Sequence, residues 1–473
     1  MLNNHIISNI KAHFEHVPTE SQNSAIDLFV DFLTSTDDNP VFILKGYAGT
    51  GKTSLISSIV ASLDEFKFRQ VLMAPTGRAA KVFSGYAGKP AYTIHKVIYR
   101  QKSANDGFGT FNLNKNLKPD TIFFVDEASM ISGFSNEYTS FGSGNLLEDL
   151  LNFVFENRNC RLVLIGDSAQ LPPIGNSESP ALDTDTLNYY GVTLFSCFLT
   201  DVVRQSLESG ILNNASNLRC SIESDTFFDD LPKFDTYGYK DIKRISGEEL
   251  IEEINTAYDS VGMDETLIVN RSNKRTNLYN KGIRNSILYK EEEVSVGDYI
   301  LVVKNNYFWL KEHKEVDFIA NGDIAEIVRI KGYEELYGKR FVNCTIRLID
   351  YKELEVDVKL ILDVLNTDTA GFTQKEQEVF FYEIMKDYED LSPKRKQYEA
   401  VKNNEYYNAL QVKFAYAMTC HKAQGGQWKV VFVDPGFVPE ENINKDYYRW
   451  LYTAITRCTE KLYLVNFKDE YFE

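Results

Sequence analysis

The chain has 473 residues, which is too many for one hydrophobic core and indicates about three domains. Hydrophobic residues make up 43% and charged residues 25% of the sequence, which excludes a disordered or collagen-like chain. The 51 basic and 68 acidic residues give a net charge of −17, which disfavours a polyanionic partner for the surface as a whole but permits a local basic groove.

The cysteines and the apolar runs indicate in which cellular compartment the protein is expected. The six cysteines lie far apart and form no CxxC pair, so neither a zinc site nor a disulfide framework is expected. No apolar run approaches the length of a membrane-spanning helix, and the first residues lack the pattern of a standard export signal. We therefore expect a soluble cytoplasmic protein without a membrane partner.

Residues 1–200 alternate between apolar strands and helix-length segments, which is typical of a doubly wound α/β unit. Apolar side chains at helical spacing predict a helix over residues 22–34. Apolar segments predict four strands of a parallel sheet, at 41–44, 71–74, 121–125 and 161–165.

Residues 46–53, GYAGTGKT, match the GxxxxGK[ST] pattern of a phosphate-binding loop between a strand and a helix. The backbone N–H groups of such a loop hold the phosphates of a nucleotide. Lys52 is expected to reach the β- and γ-phosphates of ATP, and Thr53 to bind Mg²⁺. The residues of this loop predicted to bind nucleotide are Gly46, Ala48, Gly49, Thr50, Gly51, Lys52, Thr53 and Ser54.

Two carboxylates, Asp126 and Glu127, directly follow the predicted strand 121–125 and should emerge beside the phosphate loop. Asp126 suits binding of Mg²⁺, and Glu127 suits a general base that activates water. Acid pairs after strands are also common helix N-caps, and this alternative stays open.

Two glutamines are candidate nucleotide contacts. Gln170 lies in GDSAQLPPIG, which follows the strand 161–165, so its amide should point toward a bound phosphate and report hydrolysis to a moving part. Gln22 precedes the first strand and has an amide that could read the edge of adenine, with simple solvation as the alternative.

Two arginines, Arg204 and Arg457, are candidates to neutralise charge in the transition state from across a cleft, as an arginine finger does. The alternative for each is an ordinary surface ion pair. Their placement at the edge of a second α/β unit favours the functional interpretation.

That second unit is predicted over residues 201–290 and 412–473, from apolar strands at 267–269, 430–433 and 462–465. Residues 291–411 are an insertion. Its first part, 291–365, has four strand-like segments that predict a small barrel, at 299–303, 323–330, 341–348 and 354–358. A helix is predicted over 373–389, and the basic start of the next helix at 394–396 suits either a nucleic-acid contact or a solvated face.

Eight sequence blocks together resemble the superfamily 1 helicases, and most of all their RecD/Dda branch. They are GYAGTGKT at 46, APTGRAAK at 74, TIHK at 93, VDEASM at 125, GDSAQLPPIG at 166, VVRQ at 202, TCHKAQGGQW at 419 and YTAITRC at 452. The resemblance implies an α/β protein with two RecA-like domains, a small wedge in the first, and an SH3-like barrel with a helical extension in the second.

The same resemblance implies an ATP- and Mg²⁺-dependent helicase that moves 5′ to 3′ on single-stranded DNA and acts on fork or tailed duplex DNA. A monomer without an obligate protein partner is expected. The phosphate contacts of the family fall on Thr76, His95, Thr419 and His421, and Gly425 is placed with the nucleotide-binding residues.

The wedge of the family falls within residues 96–118, where Asn105-Asp106-Gly107 is a strong hairpin turn. Phe108 or Phe111 is the candidate to stack at the fork. Packing of these rings on the hairpin itself is the alternative.

Two other functions remain open on the sequence. A phosphate-loop kinase would explain residues 46–53 but not the second α/β unit. A nucleotide-gated translocase or remodelling switch would use both units without separating strands.

Overall fold

The computed structural model describes residues 2–101, 111–133, 142–201, 209–224, 231–310, 318–349, 351 and 354–472. The expected positions Arg204 and Phe108 lie outside these ranges, and for Phe111 only the backbone is described. None of the helices in these ranges combines the length and apolarity that a bilayer-spanning helix needs.

The first unit is built on a parallel sheet, and its elements alternate along the chain. Its sheet strands are β1 (Pro40–Gly46), β2 (Arg69–Ala74), β3 (Ala91–Thr93), β6 (Thr121–Val125), β7 (Arg161–Gly166) and β8 (Thr193–Leu199), and a separate hairpin holds β4 (Tyr99–Gln101) and β5 (Phe111–Leu113). Its helices are α1 (Leu2–Ala12), α2 (Glu20–Thr34), α3 (Lys52–Glu65), α4 (Gly77–Ala87), α5 (Ile94–Ile98), α6 (Leu146–Phe155) and α7 (Thr184–Tyr189). The order across the sheet is β3-β2-β6-β7-β1-β8, with parallel neighbours throughout.

The strands of this sheet are apolar on both faces because helices cover both. Phe42 and Phe124 pack toward α2 and α3, whereas their chain neighbours Ile43 and Phe123 pack toward α6. Each of these four side chains is fully buried. The four predicted strands and the predicted helix are confirmed, and the doubly wound arrangement follows from burial on both faces.

The hairpin β4–β5 pairs Tyr99 with Leu113 and Gln101 with Phe111. The expected turn at 105–107 lies outside the described residues. Val97 and Ile98 fall within the predicted wedge range 96–118, but they lie in helix α5, where Ile98 is fully buried in the domain core.

The second unit has a five-stranded parallel sheet in the order β16-β10-β17-β18-β9. Its strands are β9 (Ile242–Ile245), β10 (Thr266–Asn270), β16 (Ala417–Thr419), β17 (Trp428–Asp434) and β18 (Cys458–Val465). Its helices are α8 (Gly210–Ser224), α9 (Leu250–Val261), α10 (Asn273–Ser286), α13 (Cys420–Ala423) and α14 (Lys445–Ile455). The three strands predicted for this unit are confirmed, and β9 and β16 add to both edges.

A closed barrel separates β10 from β16 along the chain. Its strands are β11 (Tyr299–Val302), β12 (Ile324–Leu336), β13 (Lys339–Leu348), β14 (Leu354–Ile361) and β15 (Leu410–Phe414). The first four match the predicted strands. The fifth comes after the helical extension and pairs with both β14 and β11, so that the expected boundary at residue 411 falls inside this strand.

The helical extension consists of α11 (Gln374–Met385) and α12 (Lys394–Lys402). The predicted helix is confirmed, since Phe380, Phe381 and Ile384 form its buried face. These side chains pack with barrel residues such as Phe341, and the extension therefore shares a core with the barrel.

Candidate functional site

The phosphate loop connects β1 to α3, as the motif requires. Gly49 and Gly51 have φ angles of 78° and 79°, values that residues with a Cβ rarely adopt. Lys52 Nζ donates to the carbonyl oxygens of Gly46 at 2.6 Å and Tyr47 at 2.9 Å. The ammonium group is thus held over the loop, while the side chains of Thr53 and Ser54 are exposed.

Gln22 is a buried side chain that braces the phosphate loop, so the alternative of simple solvation is wrong. Its Oε1 accepts the N–H of Thr19, completing the capping box of α2. Its Nε2 donates to the carbonyl oxygen of Thr50 at 3.1 Å. In this structure its amide therefore bonds to the protein at both ends.

The two carboxylates follow β6 and have different surroundings. Asp126 Oδ2 accepts the hydroxyl of Tyr86 at 2.7 Å, and Oδ1 accepts the N–H of Glu127 at 2.8 Å. Glu127 has a φ of 52°, in the left-handed region that residues with a Cβ rarely adopt. Burial raises the pKa of both carboxyl groups, whereas Arg457 and Lys52 act to lower it.

Arg457 follows α14 of the second unit and reaches the acid pair of the first. Its Nη1 lies 3.7 Å from Glu127 Oε1. Its Nε donates to the carbonyl oxygen of Thr453 at 3.1 Å, and Nη1 also donates to that of Gly426 at 3.3 Å. The side chain is 3% exposed, and so a surface ion pair is the wrong description of this arginine.

Gln170 is also at this cleft, on the segment of residues 167–171 that follows β7. The side chain is 8% exposed, and its Oε1 has no hydrogen-bond partner among the described residues. A buried amide oxygen without a partner is costly, which is consistent with a site that a ligand or water completes.

The segment 167–171 is bonded to the second unit at both ends. Tyr452 donates its hydroxyl to Asp167 Oδ2 at 2.6 Å. At Leu171, the N–H donates to Thr453 Oγ1 at 2.9 Å, and the carbonyl oxygen accepts Gln424 Nε2 at 2.8 Å. Buried hydrogen bonds therefore connect the two units across the cleft between their sheets.

The acid pair has the chemistry that a magnesium site needs. Magnesium in nucleotide sites is held by one or two protein oxygens together with phosphate oxygens and water. No group of three or more His, Cys, Asp or Glu side chains suited to a metal occurs in the described part of the chain, so these residues offer no full cage. The carboxylate of Asp126 and the exposed hydroxyl of Thr53 are the residues that would hold the ion.

Two expected DNA contacts lie after strands of the first sheet. Thr76 is the N-cap of α4, and its Oγ1 accepts the N–H of Ala79 at 3.2 Å. His95 lies in α5 after β3, and burial lowers its pKa to about 4, which makes its imidazole neutral near pH 7. Both are polar groups suited to a phosphate contact.

Two other expected contacts lie in the second unit, after β16. Thr419 is the N-cap of α13 without a side-chain cap bond, and His421 is exposed on that helix. Gly425 follows α13 with a φ of 77°, and a Cβ built there would lie 3.3 Å from Thr76 Oγ1. The structure thus places Gly425 against the start of α4, where the two units meet.

Sequence reasoning missed three residues of the cleft: Tyr86, Asp167 and Tyr452. Asp167 lies in the same motif as Gln170, and an acid directly after a strand is a usable signal. Tyr86 and Tyr452 carried no such signal, because their partners Asp126 and Ala48 are distant in sequence.

The phosphate loop, the acid pair after β6 and the arginine from the second sheet define a phosphate-loop nucleotide-binding protein with two RecA-like domains. A family model described as "AAA domain" matches residues 32–176, and one described as "UvrD-like helicase C-terminal domain" matches residues 414–465.

Among the curated relatives, an uncharacterized protein of Acanthamoeba polyphaga mimivirus is 25% identical, over 89% of this chain and 94% of its own length. The RecBCD enzyme subunit RecD of Buchnera aphidicola is 23% identical, over 91% of this chain and 71% of its own. The ATP-dependent DNA helicase Dda of Enterobacteria phage T4 is 23% identical, over 66% of this chain and 67% of its own length. With the two domain matches and the eight ordered motifs, these relatives make the chain similar to the superfamily 1 helicases of the RecD/Dda-like branch.

Proposed function

We propose that the chain is an ATP- and magnesium-dependent DNA helicase that moves 5′ to 3′ on single-stranded DNA and separates duplex by closing and opening its two RecA-like domains. The observation that carries this proposal is the ion pair between Arg457 of the second domain and Glu127 of the first. Because both domains contribute to one nucleotide site, a change at the γ-phosphate changes the contact between them.

The described side chains suit distinct tasks in ATP hydrolysis. Lys52 and the loop amides would hold the phosphates, and Glu127 would accept the proton of the attacking water. Arg457 would stabilise the charge that develops on the phosphate during the reaction. Magnesium, when bound, supplies further neutralisation of the phosphate charge. Gln170 would sense the γ-phosphate on a segment that is bonded to the second domain.

The polymer is proposed to lie across both domains. Thr76 and His95 follow strands of the first sheet, and Thr419 and His421 follow a strand of the second, which are positions for gripping a backbone without reading bases. The names of the relatives RecD and Dda favour DNA, and fork or tailed duplex DNA is the expected substrate. We expect a monomer to suffice.

The proposal is tested by measuring ATP turnover without polymer, with single-stranded DNA and with RNA. We expect strong stimulation by single-stranded DNA, and none in a Lys52→Ala variant that retains some DNA binding. Lys45→Ala, the neighbouring lysine on β1, is the matched control and should turn over ATP normally. Turnover that no polymer stimulates would reject the helicase and leave the kinase alternative.

A further inference from the structure

The hydroxyl of Tyr452 makes two hydrogen bonds across the cleft. It accepts the N–H of Ala48 in the phosphate loop at 2.8 Å and donates to Asp167 Oδ2 at 2.6 Å. Tyr452 is 1% exposed and Asp167 is 2% exposed, so water competes little for either bond. One side chain of α14 therefore holds both the phosphate loop and the segment that carries Gln170.

Tyr452 can fill both roles only while it keeps its proton. Burial and the nearby carboxylate of Asp167 raise the pKa of Tyr452, so the hydroxyl stays protonated at neutral pH. It is then one donor and one acceptor, and both are used.

The hydrogen bond with Tyr452 occupies the backbone N–H of Ala48, and a phosphate loop uses such N–H groups to bind nucleotide. Backbone N–H groups of the loop hold phosphates, and the N–H of Ala48 already has an acceptor in Tyr452. We propose that the Tyr452 hydroxyl stands in for a phosphate oxygen at Ala48, so that nucleotide binding and this interdomain bond exclude each other. The inference rests on the proposed function and adds to it a positioning residue that links loop occupancy to domain contact.

A bond that must break on binding weakens that binding by the free energy of the bond. Tyr452→Phe removes the hydroxyl and keeps the ring. We expect this variant to bind a nonhydrolysable ATP analogue with Mg²⁺ about fivefold more tightly than the wild-type chain, which converts to about 1 kcal/mol, the net contribution of a typical hydrogen bond. We also expect the analogue to change the affinity for single-stranded DNA less in this variant than in the wild-type chain, because the hydrogen bond between the Tyr452 hydroxyl and the phosphate loop is lost.

Tyr447→Phe is the matched control. Tyr447 lies in the same helix and is 2% exposed, and its hydroxyl is 3.3 Å from that of Tyr471 within the second domain. Its removal should leave both affinities unchanged.

Equilibrium titration of the analogue decides the inference. The inference is supported if Tyr452→Phe binds the analogue more tightly than the wild-type chain while Tyr447→Phe does not. Unchanged or weaker binding of the analogue by Tyr452→Phe overturns it. The titration needs neither DNA nor turnover, so a wild-type chain that binds the analogue but shows no DNA-stimulated turnover would overturn the proposed function separately.

Discussion

Nη1 of Arg457 lies 3.7 Å from Oε1 of Glu127, and this pair joins the end of α14 to the end of β6. The guanidinium group is held by the carbonyl oxygens of Thr453 and Gly426. A buried arginine fixed in this way can act on developing charge beside Glu127 without first reorganising.

Replacing Arg457 with glutamine should lower the turnover number for ATP by at least about 100-fold, the usual cost of removing a preorganised group that stabilises the transition state. Arg449→Gln is the matched control. Arg449 is likewise a buried arginine of α14 that crosses to the first domain, but it contacts the carbonyl oxygen of Ser177 and the carboxylate of Glu178. Comparable losses in the two variants would show that Arg457 acts only as a general domain contact.

The acid pair predicts a pH dependence. Burial raises the pKa of Glu127 above its ordinary value of 4.5, and Arg457 is the largest influence that opposes this rise. A general base must be deprotonated, so turnover falls as the pH drops through the raised pKa. We expect the acid limb of the turnover profile above pH 4.5, and a further shift to higher pH in Arg457→Gln. If the acid limb of the Arg457→Gln profile lies at the same pH as in the wild-type chain, the assignment of Glu127 as the base is contradicted.

Gln170→Ala tests the sensor. Because Oε1 of Gln170 has no partner among the described residues, removing the amide breaks no hydrogen bond of that oxygen, and the melting temperature should change little. We expect binding of single-stranded DNA to survive while ATP turnover and unwinding fall together. Normal unwinding by this variant would show that the amide reports nothing to the second domain.

The wedge is tested with Phe108→Ala and Phe111→Ala, measured in parallel for unwinding and for ATP turnover stimulated by single-stranded DNA. If a ring stacks at the fork, its loss should lower unwinding more than turnover, because stacking on a base contributes about 1–3 kcal/mol. Wild-type values of both activities in both variants would reject the wedge.

In the two parallel sheets, the strands that could be predicted from the sequence are those with runs of successive buried side chains. The strands β1, β6 and β7 are flanked by helices on both faces, so they appear as apolar runs. By contrast, β3 and β16 have three residues each, too few to show a pattern. Strand β15 pairs with β14 across the helical extension, and local sequence does not specify such a partner.

The site was predictable to the same extent. The loop and Asp126-Glu127 have local signatures, and their positions at one sheet edge follow from parallel strands. The bond from Ala48 to Tyr452 joins residues 404 positions apart, and it depends on how the two domains pack. The role of Gln22 as a brace of the loop likewise depends on its contact with Thr50.

We expect ATP hydrolysis at the Arg457–Glu127 cleft to drive strand separation with a fixed direction. The decisive measurement is unwinding of duplexes with a 5′ tail, a 3′ tail or no tail, with Lys52→Ala as the inactive control. We expect ATP-dependent separation of the 5′-tailed duplex by the wild-type chain and none by Lys52→Ala. Separation of the 3′-tailed duplex alone would contradict the direction, and turnover stimulated by DNA without separation of any substrate would contradict the helicase and favour a translocase or remodelling switch.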